Sequence, residues 1–538
     1  MLTSLLLSLI LATPLQGITV FSGDKPEAFT ATVLDTLPQG IGPRVPLILV
    51  RLHGAKIEHT GVIAGMSGSP VYRDGELIGA VGYRIGSFSK EPIAGITPIA
   101  AMRQAFIGKA RAARPSAALA QVHLPLVSSG MDAQVSEPLI ASLNALSPVN
   151  FRAVAGGGSG RGPTPERLIN GGALAVVLAH GDINLFALGT VTEVKDGKFL
   201  GFGHPMFGWG ALQIPVATAW VSTTIASPAN AFKVGRLGKL VGTMTQDRLP
   251  AIAGTLGAIP SMIPIEVQLS GAPSLRAQVV RHRRLTPSLL ATVVHQAARQ
   301  HTSFEAGGTM RLSGSIDTEL GKLRIDEWVA HPHHPGLAAA VVEPIRYLSS
   351  LLADNPLGAV SIRRVALKLE HRPKTSVESL RRLELLHPRP RAGTQIEARL
   401  LWRGYQNGER RELVRLPLPA GLSPGEARFI VASGAAIDAL ETACGDGLPP
   451  NQRQQLLPWL NERASSNSRG LFLVRELATQ SHGSRRALSD AWTQRLPKTD
   501  VDAPSGNCLI IASQMLPPAS GPVQAQMSHP IFIQGAQR

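Results

Sequence analysis

Short apolar runs separated by turn-forming residues dominate the chain. Residues 46–50 (PLILV) and 77–81 (LIGAV) are compact apolar runs, whereas residues 395–401 (QIEARLL) alternate apolar and polar side chains. Runs of this length, bounded by glycine, proline and aspartate, predict β-strands. Further strands are predicted at 173–179, 185–194 and 199–202. The pattern therefore predicts a mainly β protein.

Two Asp-Gly pairs mark tight turns between predicted strands. Asp74-Gly75 precedes the 77–81 run, and Asp196-Gly197 separates two later strands. Both residues of such a turn adopt positive φ, which aspartate tolerates and glycine favours, so each pair predicts a two-residue hairpin. Helices are predicted at residues 101–120, where the pattern becomes linker-like, at 286–300 and at 453–463.

Residues 1–15 (MLTSLLLSLILATPL) form a short apolar run. A membrane-spanning helix needs about 20 apolar residues, so this run favours the core of a signal peptide, although no Lys or Arg precedes it. We therefore predict a signal peptide at 1–17 and a periplasmic or secreted protein. We see no later uninterrupted apolar run of spanning length.

Basic residues outnumber acidic ones, and the formal net charge is +16. They cluster in the second half of the chain, for example at 281–284 and 381–382, without interleaved aromatic residues. The charge therefore does not indicate nucleic-acid binding. In an exported protein it favours a solvated basic surface or contact with an anionic envelope surface.

Two cysteines occur, Cys444 and Cys508. In an exported protein they can form one disulfide, whereas in the cytosol they would be core thiols, and their separation is not a metal-site pattern. Histidines concentrate at residues 331–334 (HPHH), where the prolines favour a linker over a metal site. Phosphate-loop and dinucleotide signatures are absent from the sequence, and we expect neither a cofactor nor a metal.

Residues 65–70 (GMSGSP) carry the clearest chemical signal. A serine between glycines, followed by proline and an apolar hairpin, is what a chymotrypsin-like nucleophile loop requires, because glycines permit a tight turn. Ser67 is the preferred nucleophile and Ser69 the alternative. The amides of Gly65 and Ser67 would form an oxyanion hole. The strand ending near Gly82 is predicted to bind an extended peptide substrate by strand addition.

His204 follows an apolar strand in the sequence Gly203-His204-Pro205 and is the preferred base. A base must come within about 3 Å of the serine hydroxyl and titrate near neutral pH. His59 and His53 are alternatives. Asp247 is the preferred orienting carboxylate, with Asp182 and Asp196 as alternatives, and a serine–histidine dyad remains open.

Three segments stand out: residues 60–71 (TGVIAGMSGSPV) with 74–81, residues 189–191 with 200–205 (LGFGHP), and residues 242–248 (GTMTQDR) with 252–254. Together they resemble the SpoIVB peptidase family, which cleaves proteins outside the cytoplasmic membrane with a serine nucleophile. The resemblance spans about half the chain, residues 17–269. It implies that Ser67 is the nucleophile and that His204 is the catalytic histidine.

The chain departs from the family pattern in three respects. The family's histidine segment precedes its serine segment, whereas here Ser67 comes first, an order that a site defined by geometry permits. The family's aspartate lies upstream of its serine, but residues 51–54 (RLHG) contain no carboxylate. The family's PDZ domain is not apparent.

These observations predict a chymotrypsin-like double β-barrel, then a β-sandwich-like domain and a mixed C-terminal tail. The expected function is that of an exported serine endopeptidase that cleaves envelope proteins or itself. The alternative is a non-catalytic envelope scaffold on a degenerate peptidase barrel. The sequence does not indicate an oligomeric state. The predicted domains after the signal peptide are a Ser-bearing barrel at 18–125, a His-bearing barrel at 126–300, the sandwich at 301–435 and a C-terminal extension at 436–538.

Overall fold

A computed structural model describes residues 14–86, 89–107, 124–156, 164–301, 307–444, 449–476 and 508–535. The chain divides into two compact units. The first comprises Met1–Pro264 and Arg276–Thr292, and the second Ile265–Leu275 and Val293–Arg538. Strands greatly outnumber helices in both units, so the protein is mainly β, as predicted.

The first unit begins with a closed six-stranded barrel of strand order β1-β2-β3-β6-β5-β4. Its strands are β1 (Leu15–Thr19), β2 (Glu27–Gly42), β3 (Val45–His53), β4 (Pro70–Arg73), β5 (Glu76–Arg84) and β6 (Ile93–Pro98). Leu15, Val50, Val81 and Ile96 lie in its core with no exposed surface. Burial of such side chains stabilises the fold by about 2 kcal/mol each.

Further strands follow in the rest of the first unit. They are β7 (Leu124–Ser129), β8 (Phe151–Ala155), β9 (Ala173–Gly181), β10 (Asn184–Lys195), β11 (Lys198–Gly201), β12 (Gly210–Ile225), β13 (Phe232–Arg248) and β14 (Ala251–Leu256). Six of them pair in the order β9-β12-β13-β14-β11-β10, and β10 pairs with β9, so the pairings form a complete cycle. β7 also pairs with β10, and β8 runs parallel to β7.

Both predicted Asp-Gly hairpins are confirmed. Arg73 pairs with Glu76 across Asp74 and Gly75, whose φ angles are 49° and 84°. The same geometry recurs at Asp196 and Gly197, with φ angles of 51° and 69°. Positive φ at both central residues matches the right-handed twist of the flanking strands, which is why this dipeptide predicted them.

The predicted signal-peptide boundary, after residue 17, lies within β1. Leu15 of this strand is fully buried and pairs with Ala31. β1 pairs with β2 on one side and β4 on the other. Residues 1–13, which carry the predicted signal, lie outside the described residues.

The helices of the described residues are short. They are α1 (Ala55–Thr60), α2 (Ile99–Arg103), α3 (Ala133–Leu146), α4 (Thr286–His301), α5 (His334–Ala340), α6 (Glu343–Ala353), α7 (Ala435–Cys444) and α8 (Leu456–Asn461). The helix predicted at 286–300 is confirmed as α4. Most of the helical segment predicted at 101–120 lies outside the described residues. The helix predicted at 453–463 is a 3₁₀ turn followed by α8.

Four strands of the second unit pair in the order β15 (Ile263–Leu269), β19 (Ile362–Arg372), β17 (Gly308–Thr318) and β18 (Gly321–His331). Residues 265–269 of β15 run parallel to β19. β17 pairs with both β19 and β18. Residues 272–275 of β16 (Ala272–Val279) belong to the second unit and residues 276–279 to the first. These strands occupy much of the region in which a β-sandwich was predicted.

Two four-stranded sheets of the second unit share one apolar core and form a sandwich. One has the order β22-β21-β20-β26, and the other β25-β24-β23-β27. Trp402 of the first sheet and Phe429 of the second are both fully buried in that core. The strands are β20 (Glu378–Leu385), β21 (Gln395–Gly404), β22 (Gly408–Pro417), β23 (Gly425–Ser433), β24 (Arg469–Glu476), β25 (Cys508–Leu516), β26 (Val523–Gln524) and β27 (Gln526–Ile533).

The predicted sandwich boundaries, 301 and 435, differ from the structure. The sandwich strands run from Glu378 to Ile533, so the predicted C-terminal extension supplies β24 to β27. β23 pairs with both β24 and β27, which are distant along the chain. Local sequence patterns do not report pairing over such distances, which explains the misplaced boundary.

One helical stretch of the described residues, His334–Ala353, has the length and apolar composition of a membrane-spanning helix. Half of this stretch is buried inside the fold, as in the core helices of many globular domains. It spans α5 and α6, and Leu351 and Leu352 pack inward. Glu343 and Arg346 interrupt the stretch, so it is not an uninterrupted apolar run.

Cys444 and Cys508 form a disulfide, the alternative favoured for an exported protein. The bond joins the end of α7 to the start of β25. Both half-cystines pack in an apolar cluster with Leu440 and Phe472.

Replacing Cys444 and Cys508 together with alanine should lower the free energy of unfolding by about 4 kcal/mol, because the bond closes a separation of 64 residues. Chemical denaturation monitored in the second unit would measure the loss. Reduction of the unmodified protein should reproduce it. Equal stability of the oxidised protein and the double variant would contradict the expectation.

Candidate active site

The serine loop connects α1 to β4. Gly65 and Gly68 have φ angles of 98° and 93°, which only glycine adopts without strain. The amide of Ser69 donates to the Met66 carbonyl at 2.9 Å, and the Ser69 hydroxyl donates to the same oxygen at 2.6 Å. Ser69 is therefore committed to holding the turn. The hydroxyl of Ser67 is buried and has no hydrogen-bond partner.

The amides of Gly65 and Ser67 are oriented by the peptide groups to which they belong. The Ala64 carbonyl accepts from the Lys233 amide at 3.0 Å, and the Met66 carbonyl accepts from Ser69. In a trans peptide the N–H points away from the C=O. The Gly65 and Ser67 amides therefore point away from the groups that bind the Ala64 and Met66 carbonyls. Within the described residues, the Gly65 and Ser67 amides donate no hydrogen bond. They are the two amides predicted to form an oxyanion hole.

Strand β10 holds the serine loop through three carbonyl groups. The Thr190 amide donates to the Ser67 carbonyl at 2.8 Å. The Thr190 hydroxyl donates to the Gly65 carbonyl at 2.9 Å, and the Thr192 hydroxyl donates to the Gly68 carbonyl at 2.8 Å. The loop is thus fixed by the strand that precedes the turn into β11.

Gly68 lies against the backbone that leads to His204. A Cβ atom at Gly68 would stand 2.1 Å from the Thr190 carbonyl oxygen and 2.4 Å from the Phe202 nitrogen. No side chain fits at such distances. The serine loop and the histidine segment, distant along the chain, therefore meet backbone to backbone.

A second contact holds the histidine corner, residues 202–205. Phe202 and Gly203 have φ angles of 67° and 69°, so two successive residues adopt the left-handed conformation. The Gly203 carbonyl accepts a hydrogen bond of 2.6 Å from the Thr97 hydroxyl. A Cβ atom at Gly82 would stand 2.4 Å from the same carbonyl oxygen. The corner is thus packed against β5 and β6.

His204 is fully buried, and its tautomer follows from its hydrogen bond. Nδ1 lies 2.7 Å from the Pro205 carbonyl, which can only accept, so Nδ1 carries the proton. Nε2 is then an unprotonated acceptor, and it has no hydrogen-bond partner. Burial lowers the pKa of His204 to about 4, against a smaller opposing effect of the Pro205 carbonyl. The imidazole is therefore in its base form at neutral pH, but its pKa lies below the near-neutral value expected of a catalytic base.

Asp247, at the end of β13, receives backbone amides from the chain that follows His204. Its carboxylate accepts from Met206 at 2.8 Å, Phe207 at 2.7 Å and Gly208 at 3.0 Å. Burial raises the pKa of Asp247 to about 6, and the amides counter this effect. The Asp247 carboxylate thus bonds the loop backbone, and the His204 Nδ1 proton goes to Pro205.

A single peptide group joins Asp247 to His204. The amide of Met206 donates to the carboxylate, and the carbonyl of the same peptide, that of Pro205, accepts from the imidazole. A carboxylate that binds the N–H end of a peptide increases the negative charge on its oxygen, because hydrogen bonds in a chain polarise one another. Asp247 therefore acts on the imidazole through the peptide.

Ser67, His204 and Tyr83 each carry a buried polar side-chain atom without a hydrogen-bond partner: Oγ, Nε2 and Oη. The Tyr83 ring meets the imidazole edge-on at 6.5 Å between centroids, and burial raises the pKa of Tyr83 well above its usual range. Unpaired buried polar atoms cost about 1–3 kcal/mol each, and such costs concentrate at functional sites. Ser67 and His204 do not hydrogen-bond to each other here, and neither has exposed surface.

Gly82 does not offer the free strand edge predicted for substrate binding. β5 pairs with β6 as far as Arg84, whereas its pairing with β4 ends at Ala80. Gly82 is buried and faces Gly203 and Thr97. Strand addition at Gly82 would require displacement of the histidine corner, so the structure assigns this glycine to packing.

The alternative site residues occupy other surroundings. His53 is half-buried and lies 3.0 Å from the Thr32 hydroxyl, and His59 is exposed on α1. Asp182 accepts the Arg276 amide at 2.7 Å. Asp196 occupies the exposed hairpin turn. None of these contacts involves Ser67 or His204.

The histidines at 331–334 do not gather ligands for a metal. The His331 Nδ1 atom lies 2.9 Å from the His333 carbonyl, and the two rings are 5.9 Å apart. A search of the described residues found no group of three or more His, Cys, Asp or Glu side chains that could hold a metal ion.

Sequence reasoning did not identify Tyr83, Thr190 or Lys233. In the sequence Phe232-Lys233-Val234, alternation alone would turn the lysine outward, whereas the structure buries it completely. The sequence therefore carries no signal for the burial of Lys233.

Comparisons of the chain with protein-family models, curated proteins and solved structures gave no match in any of the three. The interpretation of the site therefore depends on its own geometry and chemistry.

Replacing Gly68 with alanine should destabilise the protein by about 3–5 kcal/mol, because a left-handed φ costs about 1–2 kcal/mol and the overlap with Thr190 and Phe202 adds about 1–3. Gly75→Ala is the matched control, since Gly75 has φ 84° and open space around its Cβ position. It should cost only about 1–2 kcal/mol. Urea denaturation measures both values, and equal losses would contradict the close contact.

Asp247→Asn should destabilise the protein by about 3 kcal/mol, since an asparagine amide group would face backbone donors that now bind a carboxylate. Denaturation at pH 8 measures the loss with the carboxyl ionised, above its pKa of about 6. Asp196→Asn, in the exposed turn, should change stability by less than about 0.5 kcal/mol. A neutral Asp247→Asn variant would refute the assigned hydrogen bonds.

Proposed function

We propose that the protein is an exported serine endopeptidase resembling the SpoIVB family, with Ser67 as nucleophile and His204 as base. One observation carries the proposal: the serine loop, with its unpaired hydroxyl and two free amides, meets the backbone of the segment that carries the unprotonated imidazole nitrogen. These are the groups that acyl transfer requires.

In the proposed reaction, Ser67 Oγ attacks the carbonyl carbon of a peptide bond while His204 Nε2 takes the hydroxyl proton. The carbonyl oxygen becomes an oxyanion, which the Gly65 and Ser67 amides bind. The C–N bond then breaks, and His204 returns the proton to the departing amine. Water, deprotonated by the same imidazole, hydrolyses the acyl-enzyme and regenerates Ser67.

The orienting role belongs to Pro205 and Asp247 together in this proposal. The Pro205 carbonyl holds the Nδ1 proton and stabilises the imidazolium that forms. Asp247 keeps that carbonyl in place through the Met206 amide. Asp247 is thus a positioning residue, and the missing upstream carboxylate is not needed.

The buried position of the site implies a closed form of the enzyme. Ser67 and His204 must come within hydrogen-bond reach and meet the substrate for reaction, and this requires the serine loop or the corner to shift. Gly65 and Gly68 are the loop positions with the most backbone freedom.

The strand pairings support the finer fold assignment that we propose. A closed six-stranded barrel carries Ser67, and a second cycle of six antiparallel pairings carries His204. A chymotrypsin-like double barrel consists of two such units with the site between them, and here the two would follow in exchanged order.

Export is supported by the disulfide between Cys444 and Cys508, since such bonds persist in oxidising compartments. We therefore propose a periplasmic or secreted location and protein or peptide substrates from that compartment. The net charge of +16 favours anionic surfaces or acidic partners there.

A non-catalytic scaffold is the second candidate, and a specific observation favours it. Ser67 and His204 have no exposed surface and do not hydrogen-bond to each other. A barrel that had lost turnover could retain this closed arrangement.

A small fluorophosphonate should label Ser67 covalently, displacing fluoride while the hydroxyl proton passes to His204. The labelled peptide is identified by mass spectrometry. Ser67→Ala should abolish labelling, and His204→Gln should slow it by at least about 1,000-fold. Ser69→Ala, which removes only a turn hydrogen bond, should still be labelled. Absence of labelling in the unmodified protein would support the scaffold and refute the peptidase.

A further inference from the structure

Lys233 is a fully buried lysine beside the serine loop. Its side chain has no exposed surface, although lysine is almost never fully buried without a charged partner. Its ammonium group contacts the Thr19 hydroxyl at 2.9 Å and the Thr190 hydroxyl at 3.4 Å. None of the ion pairs found in the described residues includes Lys233. The acyl-transfer steps described above leave this cation without a role.

The backbone of Lys233 fixes the peptide group before Gly65. Its amide donates to the Ala64 carbonyl, and the Ala64 amide donates to the Ala231 carbonyl, so β13 pairs with the loop at this point. Because the Ala64 carbonyl is held, the Gly65 amide of the same peptide must point the other way.

The side chain of Lys233 fixes the peptide group after Gly65. Its ammonium group donates to the Thr190 hydroxyl, which donates in turn to the Gly65 carbonyl. Its methylene stem stands 3.2–3.3 Å from the Cβ position of Gly65. One residue therefore holds both peptide groups that flank the predicted oxyanion donor.

We infer that Lys233 is a positioning and electrostatic residue of the serine site, an inference that rests on the proposed peptidase function. It holds the Gly65 amide toward the reacting oxygen, and its buried charge stabilises the oxyanion. A cation works strongly in such surroundings, because water does not screen it.

The surroundings of Lys233 make its charge depend on pH. β1 and β10 contribute Thr19 and Thr190, β12 contributes Thr224 opposite Lys233 in the pairing, and the loop contributes Gly65. All of these are uncharged. Burial lowers the pKa of Lys233 to about 7. The cation should therefore be present below about pH 7 and lost above it, whereas His204 becomes a base above about pH 4.

The test is the rate constant of fluorophosphonate labelling between pH 4 and 9. The unmodified protein should show a rise near pH 4 and a fall near pH 7. Lys233→Met, which keeps the stem but removes the charge, should label about 100-fold more slowly at pH 6 and lose the fall near pH 7. Lys239→Met is the matched control, an exposed lysine of the same strand paired with Glu166. It should reproduce the unmodified profile.

Thr190→Val separates positioning from charge. It interrupts the hydrogen-bond path to Gly65 but retains the ammonium group. We expect slower labelling at every pH with the fall near pH 7 retained. A Lys233→Met profile that still falls near pH 7 would overturn the electrostatic role, and unchanged rates in Thr190→Val would overturn the positioning role.

A second readout does not depend on catalysis. Between pH 7 and the ordinary lysine pKa of 10.5, the unfolded chain binds a proton that the folded chain does not. Stability should therefore rise with pH over this interval, and Lys233→Met should remove the rise. If the unmodified protein is not labelled at any pH but the stability profile behaves as expected, the peptidase proposal and the oxyanion role fail while the buried cation stands. A flat stability profile in the unmodified protein would refute the buried cation itself.

Discussion

Contact between two backbones, without side chains between them, is the constraint on which the candidate site depends. Gly68 meets Thr190 and Phe202, and Gly82 meets the Gly203 carbonyl, at distances that exclude a Cβ atom. Because close-packed interiors tolerate neither voids nor overlaps, these glycines fix how deeply the serine loop sits against the histidine corner. The arrangement of the candidate site follows from the short distance between the serine loop and the histidine corner.

The carbonyl groups of the serine loop all accept hydrogen bonds, whereas two of its amide groups donate none to the part of the chain that the structure describes. Neighbouring strands or the loop itself bind the carbonyls of Ala64, Gly65, Met66, Ser67 and Gly68, so the peptide planes are fixed. Within the described residues, the Gly65 and Ser67 amides donate no hydrogen bond. Preorganised donors of this kind require no rearrangement when charge develops, which is the physical basis of electrostatic catalysis. The unpaired hydroxyl and imidazole cost stability, which apolar burial in the first unit must offset.

The histidine corner replaces a direct carboxylate–imidazole bond with a peptide group. Pro205 accepts from His204, and the next amide binds Asp247, so a buried acid determines the orientation of the base from one peptide away. The neutral state of the imidazole follows from burial. Lys233 supplies the buried positive charge. Asp247 thus bonds the backbone that follows the histidine corner, whereas Lys233 bonds the serine loop.

The sequence by itself determined the local structure: the Asp-Gly hairpins, the strands on either side of them, the helix at Thr286–His301 and the turn that presents Ser67. These follow from φ preferences and side-chain alternation, which operate over a few residues. Only the tertiary structure decided that the C-terminal strands complete the sandwich, that Asp247 binds a loop backbone, and that Lys233 turns inward. Each of these depends on a partner far away along the chain, and local patterns carry no record of such partners.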